Sequence, residues 1–229
     1  MVGGSMSVAS QGVLVADVVQ SSIRADFRKL LGQILRTVTN RHLRQKLIKL
    51  PYSVTAGDEF QTVVENLPQI PKLILDLRAN MRPLSIRVGI GIGRISDKIQ
   101  PPVNRLSGEA FLKARDAIDI VKKGSLYKFD VLTAFQSKDE LFDETINLIY
   151  GLQDTLVRNI TSKQWKTIHT VLDEPTKLED IAEQLNLNVS TVSRNLRRGY
   201  YWQLAETARI AGSIIQKTFP NSHVKVQNS

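Results

Sequence analysis

The chain has 229 residues and a mass of 25.7 kDa, which suffices for one large domain or two small ones. Hydrophobic residues make up 42% and charged residues 23%, a balance that supports a packed core and excludes disorder throughout the chain. The absence of cysteine excludes disulfide scaffolds, cysteine zinc sites, iron–sulfur clusters and thiol catalysis.

Neither a membrane span nor an export signal is expected. No apolar run reaches the roughly 18 residues that a transmembrane helix needs, and the start of the chain lacks the pattern of a secretory leader. We therefore expect a cytoplasmic protein without a membrane partner. Because the chain opens with Met-Val-Gly-Gly-Ser, residues 1–11 are expected to be disordered and derived in part from an expression tag.

The chain is basic, with 31 Lys and Arg residues against 22 Asp and Glu residues, a net charge of +9 and a pI near 9.8. A balance of this kind favours nucleic acid or phosphate-bearing partners. Charge alone fits a solvated basic surface equally well.

Short β-like runs alternate with helical stretches in the first 136 residues. In chain order, the patterns predict a buried strand over 13–18, a helix through about 48, a hairpin with arms 52–56 and 60–64, a helix over 68–81, a strand over 84–95, a helix over 108–122 and a strand over 127–131. The order βαββαβαβ, with a hairpin between helices, predicts an α+β fold with a ferredoxin-like antiparallel sheet and helices.

The strand over 84–95 has two different faces. Isoleucine and valine occupy one face, whereas Arg87, Gly89, Gly91 and Gly93 occupy the other. A face stripped to glycine admits either a ligand or a closely packed helix, and the sequence leaves both interpretations open.

From Ser137 onward the pattern is helical. The predicted division is an α+β domain over 12–136, a connecting helix over 137–160 and an all-α domain over 161–229. The final helix is expected to begin near Val189 and to continue to about Phe219.

The segment from Leu178 to Arg198 is typical of a helix-turn-helix. Ala182 is small enough for two helices to cross closely, and asparagines mark the turn. Leu185 and Leu187 are expected to help bury the joint. The exposed face of the second helix would carry hydroxyls and arginines, which suit base edges and phosphates: Ser190, Thr191, Ser193, Arg194, Arg197 and Arg198. The alternative is a plain helical hairpin.

Acidic residues occur where two predicted strands end. Asp17 lies in the first strand, and Asp58 and Glu59 lie at the hairpin turn. In a βαββ unit these positions can be neighbours, and converging carboxylates would bind Mg²⁺ or Mn²⁺, which in turn would hold a triphosphate. Alternatively, Asp17 caps a loop and Asp58 only forms a turn.

Three segments resemble parts of nucleotide cyclases. The segment from Val13 to Asp17 is similar to the first metal-binding strand of class III nucleotidyl cyclases. The segment from Ser53 to Phe60 is similar to their metal hairpin and to the signature of GGDEF diguanylate cyclases, and the segment from Arg87 to Gly93 resembles their glycine-bearing strand. With the helix that begins after Gly108 and the helical tail, the whole chain most resembles the SatD family.

This resemblance implies a cyclase-like palm domain over 12–136 that binds a nucleotide. The residues expected to contact the nucleotide are Gly57, Gly89, Gly91 and Arg115. The sequence departs from the cyclases at three positions. Leu112 replaces their asparagine, Asp116 occupies the arginine position with Arg115 one residue early, and Ala56 replaces the first glycine of the GGDEF signature. The asparagine and arginine of the cyclases donate hydrogen bonds to the reacting phosphate, so their replacement here removes stabilisation of the charge that develops on it.

Together these patterns predict a homodimeric, DNA-binding regulator whose palm-like domain binds a nucleoside triphosphate, a cyclic nucleotide or a divalent metal. One alternative is a metal-dependent nucleotidyl cyclase or nucleotidyltransferase that releases pyrophosphate. Another is an interaction module whose carboxylates only cap turns.

Overall fold

A computed structural model describes residues 10–19, 27–96, 98–173 and 177–220. These residues form five strands and eight α-helices. The elements are β1 (Gln11–Val18), α1 (Phe27–Arg44), β2 (Ser53–Ala56), β3 (Glu59–Val63), α2 (Ile70–Asn80), β4 (Ile86–Gly93), α3 (Glu109–Lys123), β5 (Thr133–Gln136), α4 (Glu140–Arg158), α5 (Ser162–Asp173), α6 (Leu178–Leu185), α7 (Val189–Arg198) and α8 (Tyr201–Thr218). The predicted disordered segment over 1–11 lies outside the described residues except for its last two, of which Gln11 already belongs to β1.

The strands form one sheet in the order β2-β3-β1-β4-β5. The first four strands pair antiparallel, as predicted. β5 pairs parallel to β4, so the prediction of a wholly antiparallel sheet is wrong at this edge. The reason is the long connection through α3, because a helical crossover returns the chain to run in the same direction.

The last strand begins later than predicted, at Thr133 rather than near Tyr127. Tyr127 and Phe129 instead stack on each other in the preceding loop, with ring centroids 5.0 Å apart. Both rings lie against Gly151 of α4, where a side chain would meet them at 3.1–3.3 Å. These aromatic residues therefore pack across a helix rather than along a strand.

The two faces of the sheet are covered differently. On one face, alternate residues of β1 and β4 such as Leu14, Ala16 and Ile90 join α1, α2, α4 and α8 in the largest core cluster. On the other face, Val13 and Val15 pack mainly against Ala110, Ala114 and Ile118 of α3. α4, expected to be only a connecting helix, contributes buried residues to the larger cluster and is therefore part of this core.

The backbone of α3 lies directly against the backbone of β4 at two glycines. A Cβ atom on Gly91 would lie 2.1 Å from the carbonyl oxygen of Ala110, and one on Gly89 would lie 2.5 Å from the amide nitrogen of Ile118. The glycine face therefore holds a tightly packed helix. The prediction that Gly89 and Gly91 contact a nucleotide is wrong, because the backbone of α3 fills the space that the nucleotide would need.

The C-terminal helices form a second cluster that is continuous with the first part of the chain. Trp165, Ile181 and Leu196 pack together in this cluster with Leu75 and Ala79 of α2. The predicted single helix from 189 to 219 is interrupted, because Tyr200 adopts the left-handed conformation with φ 56° and separates α7 from α8. In the described residues, no helix combines the length and apolarity needed to cross a membrane.

The glycine contact gives a first prediction. We expect Gly91→Ala to lower the free energy of unfolding by about 3 kcal/mol or more, because the added methyl overlaps α3. Gly32→Ala in α1 is the matched control. Its added methyl meets nothing within 4 Å, and it should stabilise by about 0.5–1 kcal/mol. Urea unfolding followed by circular dichroism measures both values, and similar effects of the two variants would contradict the packing described here.

Candidate functional site

Two of the predicted acidic residues are neighbours on the sheet. Asp17 of β1 and Glu59 of β3 are directly paired across the antiparallel ladder. The hairpin before Glu59 turns at Gly57, whose φ of 58° suits glycine. Both carboxylates are largely buried, with 4% exposure for Asp17 and 5% for Glu59. We call Asp17, Asp58 and Glu59 the acidic rim.

Three basic side chains contact Asp17 and Glu59 of the acidic rim. Arg87 of β4 donates to Asp17 Oδ2 at 3.0 Å, and Arg115 of α3 donates to Glu59 Oε1. The Lys122 ammonium lies 3.1 Å from Glu59 Oε2 and 3.6 Å from Asp17 Oδ1, so the two carboxylates share one cation. Arg115 and Lys122 are seven residues apart on α3, a spacing that puts both on the same helix face.

The pKa values of the two carboxylates move in opposite directions. Burial raises the pKa of Asp17, and repulsion from Asp58 adds to this effect, whereas Lys122 and Arg87 only partly oppose it. Burial also acts to raise the pKa of Glu59, but hydrogen bonds from Arg115 and Lys122 outweigh burial and lower it. Burial acts to lower the pKa of Lys122, yet its contacts with Glu59 and Asp17 raise it.

The acidic rim as placed does not fit a divalent metal. In the described part of the chain, no group of three or more His, Cys, Asp or Glu side chains is arranged to hold a metal ion. Lys122 lies between Asp17 and Glu59, where a Mg²⁺ or Mn²⁺ ion would need to contact both carboxylates. The protein's own cation therefore supplies the positive charge that the sequence analysis assigned to a metal.

The other predicted nucleotide contacts are divided between two places. Gly57 is exposed at the hairpin turn, with open space around it, and Arg115 contacts Glu59 of the acidic rim with 45% of its own side chain exposed. Gly89 and Gly91 are covered by α3. Of the four predicted nucleotide contacts, Gly57 and Arg115 are therefore the ones that remain accessible to a ligand.

α6 and α7 meet at a tight turn, as the sequence predicted. Asn186 adopts the left-handed conformation with φ 53°, and the Leu187 amide donates to the Ala182 carbonyl oxygen at 2.8 Å. Ala182 and Val192 are buried at the joint. Leu187 is 39% exposed and Leu185 is half-buried, so the expectation that these two leucines help bury the joint is wrong for Leu187.

α7 presents a polar face to solvent. The exposed residues of this face are Ser190, Ser193, Arg194, Arg197 and Arg198, whereas Thr191 is half-buried. None of the three arginines forms an ion pair with another described residue. The opposite face of α7 is fixed to α5, where Asn195 donates to Thr167 Oγ1 at 3.1 Å. We call the exposed residues of α7 the arginine face.

Sequence reasoning missed Arg87 and Lys122 as parts of the acidic rim. Arg87 was placed on the correct face of β4, but nothing local connects it to Asp17, which lies 70 residues earlier. The seven-residue spacing between Arg115 and Lys122 was the available signal for Lys122. Its partners depend on how α3 lies on the sheet, which the local pattern does not state.

The described residues define a mixed α+β protein with a five-stranded sheet and a helical C-terminal region. The chain belongs to the SatD family, because the model of that family (SatD) matches residues 11–226. No curated protein matches the chain.

Solved structures show only remote similarity. A bacterial light-regulated adenylyl cyclase is 10% identical with a TM-score of 0.37, covering 56% of this chain and 75% of that chain. A second structure of such a cyclase has 10% identity, a TM-score of 0.39, and coverage of 56% and 43%. A regulator of polyketide synthase expression from Bifidobacterium adolescentis has 13% identity, a TM-score of 0.30, and coverage of 92% and 87%. Scores of this size support no inference about function.

The acidic rim gives a second prediction. We expect Glu59→Gln to lower the free energy of unfolding at pH 7 by about 1–3 kcal/mol, because it removes a buried partner of Arg115 and Lys122. The lowered pKa means that Glu59 stabilises above its ordinary value of 4.5 and loses this effect as pH falls through the folded-state value. The difference in free energy of unfolding between wild type and Glu59→Gln should therefore become smaller at acidic pH.

Asp17→Asn is the matched control for this measurement. The raised pKa of Asp17 means that the folded protein takes up a proton before the unfolded chain does, so wild type gains stability relative to Asp17→Asn as pH falls from 7 to 4. Urea unfolding at several pH values measures both trends. If the stability of both variants relative to wild type changed with pH in the same direction, the opposite pKa shifts assigned to Asp17 and Glu59 would be contradicted.

Proposed function

We propose that this protein is a DNA-binding regulator. The observation that carries the proposal is the arginine face of α7, which exposes Arg194, Arg197 and Arg198 without partners among the described residues. Arginine binds phosphates and guanine edges in a bidentate manner, and serine hydroxyls bind either phosphates or bases. The net charge of +9 is consistent with an anionic polymer as partner.

The surrounding helices support a helix-turn-helix interpretation. α6 and α7 are short, contact each other through Ala182 and are joined by three residues with Asn186 in the left-handed conformation. α5 packs behind them through Trp165 and Ile168. In this arrangement α7 would lie in the major groove, as the second helix of such motifs does.

The proposal includes a homodimer that acts in the cytoplasm. Dimeric regulators of this kind bind two half-sites, and their two-fold symmetry matches a palindromic operator. α4 offers a surface for a second copy, because Leu141, Leu148 and Leu152 lie on one side of this helix and are 74%, 47% and 57% exposed. Exposed leucines at helical spacing are typical of a protein–protein contact.

A nucleotide sensor is the second candidate function, assigned to the first part of the chain. Its element order βαββαβ and the strand order β2-β3-β1-β4 agree with a ferredoxin-like palm. The specific observation is Arg115, which has 45% of its side chain exposed and contacts Glu59, two residues after the open turn at Gly57; its guanidinium could release Glu59 and bind a phosphate. We propose binding rather than cyclisation, because Lys122 already joins the carboxylates that the cyclase alternative requires for metal.

A salt series tests DNA binding. The full chain is titrated into a fluorescein-labelled duplex of about 30 base pairs, and we expect log affinity to fall linearly with log salt concentration. Replacing Arg194, Arg197 and Arg198 with Ala should weaken binding at least 100-fold and reduce the slope by about 2–3. The stoichiometry at saturation should be two chains per specific site.

The matched control replaces Arg28, Lys29 and Arg36 with Ala, which removes the same charge from the exposed side of α1. This variant should retain nearly all affinity. Equal weakening by both triple variants would show that net charge, and not the arginine face, determines binding. A salt-independent affinity would exclude phosphate contacts and overturn the proposal.

Nucleoside triphosphates test the second candidate. We expect them to raise the melting temperature of wild type but not of Arg115→Ala, because the exposed guanidinium supplies the phosphate contact. We also expect no pyrophosphate release with Mg²⁺ or Mn²⁺ present. Pyrophosphate release by wild type that is abolished in Asp17→Asn would establish the enzyme alternative instead. If no triphosphate raised the melting temperature, the nucleotide-sensor proposal would be overturned.

A further inference from the structure

A cleft separates the C-terminal end of α2 from the first half of α5. Its volume is about 330 Å³, which falls within the range of small-molecule sites. Its polar lining residues are Asn80, Arg82, Ser162, Trp165, Lys166 and His169. It shares none of these residues with the acidic rim or the arginine face. We call it the α2–α5 cleft.

The α2–α5 cleft is positively charged. Arg82 and Lys166 both line it, and its lining includes no Asp or Glu. Burial, with a contribution from Arg78, lowers the pKa of Arg82 to about 10, so the guanidinium is still protonated at neutral pH. A half-buried arginine without an acidic partner is costly unless an anion compensates it.

Two buried donors on side chains that line the cleft have no acceptor in the part of the chain that the structure describes. Trp165 is 1% exposed, and its indole N–H has no hydrogen-bond partner among the described residues. The same holds for Arg82 Nε, although Arg82 Nη1 donates to Ser85 Oγ at 3.2 Å. Buried donors normally have acceptors, so these two unpaired N–H groups leave the contact between Arg82 and Trp165 incompletely satisfied.

The walls of the cleft are held in place before any ligand binds. The Arg82 guanidinium carbon lies 4.6 Å from the centre of the Trp165 ring, a cation–π contact that fixes both groups. His169 Nε2 and Asn80 Oδ1 are 3.0 Å apart, and Asn80 in turn donates to Asp76.

We propose that the α2–α5 cleft binds a small organic anion. Arg82 and Lys166 would hold its phosphate or carboxylate oxygens, and the apolar surface of Ala79, Pro83 and Trp165 would contact the rest of the molecule. The proposal is independent of DNA binding and of the nucleotide sensor, because neither the arginine face nor Arg115 contributes to the cleft.

Tryptophan fluorescence tests the cleft directly. The chain has two tryptophans, and Trp202 is 61% exposed on α8, so Trp202→Phe leaves Trp165 as the only reporter. The probes are inorganic phosphate, adenosine monophosphate and benzoate, with adenosine as the uncharged control. We expect a saturable change with an organic anion below about 10 mM and none with adenosine. The stronger of the two organic probes identifies phosphate or carboxylate as the preferred group.

Variants in the same background assign the response to the cleft. Lys166→Ala and Arg82→Gln should each weaken binding at least tenfold, because each removes a charge-assisted contact. Lys163→Ala, three residues earlier on α5 and outside the lining, should leave affinity unchanged. Lys166 is exposed, so its variant keeps the test decisive even if Arg82→Gln fails to fold.

Two results would overturn the proposal. One is the absence of a saturable change with any anionic probe. The other is an equal loss of affinity in Lys163→Ala and Lys166→Ala, which would mean that general attraction of anions by a basic chain causes the signal.

Discussion

The structure depends on the close contact between α3 and β4. Gly89 and Gly91 have no side chains, so the helix backbone reaches the strand at distances that a Cβ atom would forbid. This contact covers the second face of the sheet and sets the position of α3 along it. Arg115 and Lys122 consequently lie over Asp17 and Glu59. The glycines that a ligand could have used instead bring the protein's own cations to its buried carboxylates.

A buried polar cluster in the first part of the chain holds α5 in place. Asp76 of α2 accepts hydrogen bonds from Arg41 and His42, and Arg41 also donates to the Leu172 carbonyl at the end of α5. Burial acts to raise the pKa of Asp76, but His42 and Arg41 outweigh it and hold that pKa low. α5 is thereby fixed on α2. The same arrangement forms the α2–α5 cleft and orients α7, which packs on α5 through Asn195.

Local patterns predicted the elements whose own residues determine them. The hairpin at Gly57 and the turn at Asn186 were correct because both need a left-handed residue at a fixed place. The errors arise where distant parts of the chain decide. The Tyr127 and Phe129 rings, for example, pack on Gly151 instead of forming a strand. The missed break between α7 and α8 is different, because Gly199, the C-cap residue of α7 directly before Tyr200, was a local signal for a helix end. The α+β class could be predicted from the sequence, whereas the parallel pairing of the edge strand β5 could not.

The amino-acid sequence by itself determined which side chains are charged, which faces of each element are apolar, and where Asp17, Glu59 and the arginines of α7 lie along the chain. Only the tertiary structure decided what these groups contact. Lys122 reaches a carboxylate 63 residues away, and the Arg82 guanidinium lies on Trp165, 83 residues later. Periodicity describes the few residues around a position, but the choice of partner follows from how whole elements pack, and that choice separates an internal ion pair from a ligand site.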